Sequence, residues 1–359
     1  MRSVVSDTPR PAKYAIGLIL VSSVAVKLFF IWYLQGRAYD DVFRAIHFGN
    51  LINEKTFSIY THIINSKTFL GPVVWAHVYQ AFGMPGLTLL NLLMFILLFF
   101  TQLALGKKHY APATIVLALF IFAFYVGTNR NVAAGEPDDN LAALLFTLGV
   151  LGYLNTGWVL GPSVLMGVGF LFKFWVAIFF AGFAGYLLLQ RRFRDLLLAG
   201  AGVLMPFLFI NLLDGGASMR ALLMSTAKQQ GYSDWQEVAF KMLSTGMIFS
   251  VLISTYVWLK QKNSWNTLFF FISGTYFVYV LLARDAFSAS FVMMQCLVFS
   301  SFLIADFLFS SSYLSGSGVP KFVLFGFCAL YLLSTLGVTY LNLYRDTKPE
   351  TFIEVEDHN

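Results

Sequence analysis

The sequence predicts an all-α fold, a polytopic bundle of transmembrane helices. Of its 359 residues, 58% are hydrophobic and 12% are charged, whereas a soluble globular protein carries about 25% charged residues. The apolar residues stand in long unbroken runs, which disfavours the alternating pattern of a transmembrane barrel. This composition excludes a soluble enzyme, a nucleic-acid-binding domain and a disordered regulator.

Apolar runs predict about eleven membrane spans, because a span needs about 20 mostly apolar residues. The runs lie at residues 14–34, 86–105, 110–127, 140–156, 158–172, 174–190, 195–213, 241–260, 266–284, 287–308 and 321–343. A twelfth, shorter run at residues 69–82 is closed by the chain breaker Gly83-Met84-Pro85-Gly86. We expect that run to form an interfacial helix in the first external loop.

Charge sets the expected orientation. If residues 69–82 do not cross the membrane, the basic clusters at 107–108, 191–194 and 260–262 fall on the same side as the N-terminus. Short basic connections stay in the cytoplasm. We therefore expect a multi-pass protein with a cytoplasmic N-terminus and an external face that carries most of the 18 acidic residues. The net charge of +6 then reflects orientation, and nucleic acid is not an expected partner.

The expected organisation is one transmembrane domain followed by a tail. The domain covers residues 1–344, with a first external loop at 35–85 and a second large external loop at 214–240. Residues 345–359 form a polar, acidic tail.

A first polar cluster stands just outside the first span. Asp40 and Asp41 are followed by Arg44, and Asp41 and Arg44 would share one face of a helix. The pair could be a helix N-cap stabilised by the helix dipole. It could equally accept a proton from a hydroxyl or hold a divalent cation.

A second cluster has three carboxylates in four positions, namely Glu136, Asp138 and Asp139. Pro137 and Asp138 also suit the start of a transmembrane helix, so a cap is again an alternative. Like charges packed together raise each other's pKa unless a cation compensates. Two such clusters on one face therefore favour a functional site.

Candidate cations come from three places. Lys173 is isolated between Phe172 and Phe174, where it could be a snorkelling anchor or a phosphate ligand. Lys228 and Tyr232 lie in the second large loop, which is either a solvated connection or a lid. Arg284 stands beside Asp285 at a helix end, where a topology-setting ion pair is the simpler interpretation. The five histidines show no metal-ligand spacing.

These residues resemble a known family. The segment Asp40-Asp41-Val42-Phe43-Arg44, with Gly49, resembles the first-loop signature of the GT-C membrane glycosyltransferases, in their mannosyltransferase-like branch. Residues 135–138 before a leucine-rich span look like the second acidic motif of that branch. Residues 161–192, with Gly167 and Lys173, are similar to the helix hairpin that follows. The resemblance covers residues 35–195.

The resemblance implies an enzyme that moves a sugar from a polyprenyl-phosphate donor to a hydroxyl acceptor, with inversion, on the external face. The acceptor would be a glycan, glycolipid or protein, and a bacterial inner or plasma membrane is favoured over the ER. The implied catalytic residues are Asp41, Asp40 and Asp138, and the donor phosphate would contact Lys173, Lys228 or Arg284. Supporting residues would be Arg44, Glu136, Asp139 and Tyr232. No cofactor is required, but a Mg or Mn ion, if present, would bind Asp41 and Asp138.

Two other classes of protein are weighed against this enzyme. A transporter or lipid flippase would use the external carboxylates as ion-coupling sites, and would carry charges near the middle of the membrane. A non-catalytic scaffold would leave the opposed acidic clusters without a purpose.

Overall fold

The protein is all-helical throughout the part that the computed structural model describes, which is residues 9–33, 70–128, 137–173, 175–213, 234–283 and 286–309. The helices of this part are α1 Arg10–Tyr33, α2 Leu70–Lys107, α3 Pro112–Thr128, α4 Pro137–Thr156, α5 Leu160–Phe172, α6 Val176–Leu189, α7 Phe193–Leu213, α8 Trp235–Ser244, α9 Met247–Lys260, α10 Ser264–Ala283 and α11 Ala286–Phe309. The predicted helical class is confirmed. The predicted run at 321–343 lies outside the described residues.

Several helices are long and apolar enough to cross a membrane. In the described ranges four meet this test by length and composition, namely Arg10–Phe29, Val73–Lys107, Phe193–Leu212 and Ser264–Leu282. The predicted span at 241–260 is divided into α8 and α9, which bend by 66° and would make a fifth if counted together. α5 has 13 residues and is therefore about 20 Å long, less than the roughly 30 Å of a hydrocarbon core. The expected number of eleven spans stays a prediction.

The chain breaker after residues 69–82 bends the chain but does not end the helix. α2 contains one residue outside helical geometry, Gly83, with φ 63° and ψ −164°. A positive φ of this kind is natural for glycine and costly for other residues. Pro85 lies in the first turn of the second leg, where a missing N–H leaves no hydrogen bond unmade. Residues 70–82 thus continue directly into the leg that ends at Lys107.

Three basic connections meet at one end of the bundle, which we call the basic end. It comprises residues 107–111, 190–194 and 260–263. The Tyr110 hydroxyl donates to Asn266 Oδ1 at 2.9 Å, and the His109 ring stacks on Trp265 with centroids 3.1 Å apart. These contacts join the α2–α3 connection to the start of α10.

The α6–α7 turn joins the same end through two further contacts. The hydroxyls of Tyr186 and Ser264 lie 2.5 Å apart, which ties the last turn of α6 to the start of α10. Arg192 donates to the Tyr153 hydroxyl at 2.6 Å and to the Gly157 carbonyl at 3.4 Å. The three basic clusters therefore lie at one end of the bundle, and the expectation that this end shares the N-terminal side of a membrane stays a prediction.

Glycines allow the short helix α5 to pack closely between α4 and α7. A Cβ on Gly167 would clash with the backbone of Val203 on α7, and one on Gly149 would lie 2.7 Å from the Pro162 carbonyl oxygen. Small residues of this kind let helix backbones approach closely in membrane proteins. Gly167, part of the family resemblance, therefore has a packing role.

The C-terminus of α6 is closed by a Schellman motif with an arginine in the glycine position. The Arg192 N–H donates to the Leu187 carbonyl at 3.0 Å, and the Arg191 N–H donates to the Leu188 carbonyl at 2.9 Å. Arg191 has φ 56° and is the one non-glycine residue with positive φ in the described part of the chain. A left-handed conformation costs a non-glycine residue roughly 1–2 kcal/mol, which is why glycine is usual there.

Candidate functional site

The candidate site contains Asp138 and lies at the end of the bundle opposite the basic end. It lies in the first turn of α4, while the C-terminal end of α4 contacts Arg192 through Tyr153. Asp138 is only 2% exposed, and its carboxylate accepts a hydrogen bond from the Trp75 indole N–H on the first leg of α2. The kink at Gly83 thus belongs to the helix that delivers Trp75 to Asp138.

Gly71 allows the first turn of α2 to approach the Asp138 carboxylate. A Cβ added at Gly71 would lie 2.6 Å from Asp138 Oδ1 and 2.8 Å from Oδ2. The absence of a side chain at this position is therefore a steric requirement. Trp75 also contacts Phe172 on α5, with ring centroids 6.3 Å apart.

Asp139 and Lys173 form an ion pair beside Asp138. Lys173 Nζ lies 3.5 Å from Asp139 Oδ1, and the two side chains are 17% and 14% exposed. The Trp175 indole N–H donates to the same Asp139 oxygen at 3.0 Å. The carboxylate therefore has both a cation and a neutral donor, as a largely buried charge requires.

The chain leaves helical geometry at Lys173, and this break aims the side chain. Lys173 has extended backbone angles, φ −146° and ψ 126°, and its N–H still donates to the Gly169 carbonyl. Asp139 lies at the N-terminus of α4, and Lys173 follows the C-terminus of α5. Each charge therefore also complements the dipole of its own helix.

A polar layer continues from the site into the bundle. Asn140, next along α4, donates to Asn91 Oδ1 on the second leg of α2. Both asparagines are nearly fully buried, at 2% and 5% exposure. One turn further along α2, Lys27 Nζ of α1 lies 5.7 Å from the centroid of the Phe95 ring. Lys27 is fully buried, which is unusual for a lysine in a membrane-length helix.

Three of the predicted site residues, Asp138, Asp139 and Lys173, are brought together by the structure. The other candidates lie outside the described residues: Asp40, Asp41, Arg44, Glu136, Lys228, Tyr232 and Arg284. Within the described ranges, no group of three or more His, Cys, Asp or Glu side chains could hold a metal ion. Of the two residues expected to bind a metal, Asp138 lies in the described part of the chain and Asp41 lies outside it.

Sequence reasoning missed the partners of these charges. Trp75 and Trp175 are ordinary aromatic residues in apolar runs, and nothing local marks them as hydrogen-bond donors to carboxylates. Lys27 was detectable, because an isolated lysine inside the first predicted span is itself a functional signal. Asn91 and Asn140 gave a weaker signal of the same kind.

No protein-family model, curated protein or solved structure matches this chain. Over the ranges that the structure describes, fold and site define an all-helical bundle with several helices of membrane-crossing length and a pair of carboxylates at one end. This is compatible with an integral multi-pass membrane protein. The resemblance to GT-C enzymes rests on the motifs quoted above.

The Asp139–Lys173 ion pair predicts strong coupling between the two residues. We expect Asp139→Asn and Lys173→Met each to destabilise the protein by about 3 kcal/mol, because each leaves a largely buried charge without its partner. The double variant should lose less than the sum of the two single variants. Unfolding of the four proteins in detergent, followed by circular dichroism, measures this cycle. Additive losses would show that the pair is not formed.

Proposed function

We propose that the protein is a membrane glycosyltransferase that uses a polyprenyl-phosphate sugar as donor and a hydroxyl group as acceptor. The observation that carries the proposal is the meeting of Asp138, Asp139 and Lys173 at one helix junction. A carboxylate base and a cation are the two groups that this reaction requires. The opposite end of the bundle carries the basic connections, which supports an external location for the carboxylates.

The acceptor hydroxyl must lose a proton as its oxygen attacks the anomeric carbon. An ionised carboxylate within hydrogen-bond reach can accept that proton. The Trp75 indole N–H donates to the Asp138 carboxylate and fixes its orientation. Asp138 is therefore the described residue that we assign as base or as orienting carboxylate, alongside Asp40 and Asp41.

The leaving group is a lipid phosphate that is already anionic, so it requires a cation rather than a proton donor. Lys173 supplies that cation in the proposal, and Asp139 holds its ammonium group in place. Displacement in one step inverts the anomeric configuration. The break between α5 and α6 lets a residue at a helix end carry this charge without placing it in the hydrocarbon core.

We expect Asp138→Asn to lower sugar transfer by about 10²-fold or more, because general base catalysis contributes about that much. The assay measures release of polyprenyl phosphate by the full chain in proteoliposomes, with a panel of synthetic polyprenyl-phosphate sugars as donors. Asn keeps the size of Asp138 and can still accept the Trp75 hydrogen bond, so the fold should be retained.

Glu237→Gln is the matched control, because Glu237 is an exposed carboxylate on α8. It should leave turnover unchanged. Normal turnover by a correctly inserted Asp138→Asn variant would reduce Asp138 to a helix-capping residue and contradict the assignment.

Lys173→Ala should lower kcat/KM for the lipid-phosphate donor by about tenfold or more. Loss of one charge-assisted hydrogen bond weakens phosphate stabilisation by about 1.5–3 kcal/mol, and about 1.4 kcal/mol corresponds to a factor of ten. The KM for a neutral acceptor should stay the same. Lys173→Arg retains the charge and should recover part of the activity. Unchanged donor kinetics would move the phosphate site to Lys228 or Arg284.

A transporter or lipid flippase is the second candidate, and Lys27 is the observation that favours it. Transporters carry ionisable side chains inside their spans, and Lys27 is fully buried in α1. A polar layer through Asn91 and Asn140 links the neighbourhood of Lys27 to Asp138.

Lys27→Met distinguishes the two candidates. If the protein is a glycosyltransferase, wild-type proteoliposomes should show no proton-driven translocation of a fluorescent polyprenyl phosphate. A transporter would translocate the lipid, and both Lys27→Met and Lys27→Arg would abolish this flux, because arginine stays protonated and cannot carry the coupled proton. The measurement is quenching of the fluorescent lipid by external dithionite under an imposed pH gradient.

A further inference from the structure

We propose that the basic end of the bundle is a binding surface for the headgroups of anionic phospholipids. Its three connections carry seven basic residues, of which Lys108, Arg191, Arg194, Lys260 and Lys262 are exposed. They are distant in sequence, and the contacts of Tyr110, His109 and Tyr186 with the start of α10 bring them to one end. The surface is thus a product of the tertiary fold.

Within the part of the chain that the structure describes, the positive charge of this surface is only partly neutralised. The acidic residues that the described ranges place at this end are Asp195 and Asp306. Asp195 forms an ion pair with Arg192, which neutralises one of the seven cations. Asp306 lies one helical turn after Phe302 on α11. Phe302 stacks on Tyr110 of the basic end, with ring centroids 5.1 Å apart. Seven basic residues against two acidic ones leave an excess of positive charge.

This charge does not depend on a histidine. Burial, together with the neighbouring charge of Lys108, lowers the pKa of His109 to about 4. His109 is therefore neutral at pH 7 and serves as a stacking partner of Trp265. The lysines and arginines carry the charge of the surface, so phospholipid binding should vary little between pH 6 and pH 8.

Exposed apolar side chains beside the cations favour a lipid surface over a soluble anion. Trp158 is 60% exposed and Phe193 is 57% exposed. Phe193 directly follows the α6–α7 turn, and Trp158 follows Gly157, whose carbonyl accepts a hydrogen bond from Arg192 of that turn. Tryptophan is enriched at the headgroup level of a bilayer. A surface that bound only free phosphate would have no use for exposed apolar side chains.

Arg191 adds a second, independent observation. It occupies the left-handed position of a Schellman motif, where glycine would avoid the strain. A strained residue that retains its side chain is a signal of function. Arginine at this turn between α6 and α7 supplies an exposed guanidinium group, which glycine lacks. A guanidinium binds phosphate oxygens in a bidentate manner.

The test compares phospholipids on the purified full chain in neutral detergent. Phosphatidylglycerol is titrated into the micelles, with phosphatidylcholine as the neutral lipid, and bound lipid is counted by native mass spectrometry. We expect phosphatidylglycerol to be retained preferentially, with a preference that falls as salt is raised. Inorganic phosphate, at the same phosphate concentration, should neither bind nor displace the lipid.

Variants of the turn sharpen this test. Each basic side chain at a surface of this kind contributes about fivefold to the affinity for anionic lipid. Arg191→Gly should therefore weaken phosphatidylglycerol binding about fivefold and yet raise the unfolding temperature in neutral detergent, because it relieves the backbone strain. Arg191→Lys should retain binding. Lys241→Gln is the control, because it also removes one positive charge but lies on α8, at the end of α9 away from the basic end. It should leave phosphatidylglycerol binding unchanged.

Three results would overturn the proposal. They are equal retention of phosphatidylcholine, an Arg191→Gly variant that binds phosphatidylglycerol as tightly as the wild type, and displacement of the lipid by inorganic phosphate. The last would identify a site for a soluble anion instead of a membrane surface.

Discussion

In a chain this apolar, every backbone N–H and C=O group inside the bundle must find its hydrogen-bond partner within the chain. Helices meet that requirement locally, and the described part of the chain is helical throughout. Charged side chains are then tolerated mainly at helix ends, where the unpaired backbone groups also lie. The two charged ends of the bundle follow from this constraint.

Interruptions of the helices are the places where this protein carries polar chemistry. Gly83 lets α2 bend while its first leg delivers Trp75 to Asp138. The break at Lys173 ends α5 early and directs an ammonium group to Asp139. At the other end of the bundle, Arg191 occupies the left-handed position of the α6–α7 turn, where its positive φ is strained and its side chain is charged. At each interruption an apolar helix ends or bends, and a polar or charged contact is made nearby.

The helical class and most helix positions were predictable, because long apolar runs leave few other structures. The grouping of Asp138 with Asp139 was also predictable, since they are neighbours at the start of one helix. Their partners were not. Trp75 and Trp175 look like any other aromatic residue in an apolar run, and their roles depend on which helix ends meet. Lys27 was visible as a lone lysine, but its contact with Phe95 required the packing of α1 against α2.

By itself the sequence determined that the protein is a helical bundle rich in apolar residues, and that its charges concentrate in short connections and helix ends. Local composition suffices for this, because apolar run length and charge position are properties of the chain alone. Only the tertiary structure decided that Lys173 pairs with Asp139 across two helices, and that three separate basic connections form one surface. Those contacts depend on how helices pack through glycines and aromatic rings, and run length and charge position in the sequence do not specify that packing.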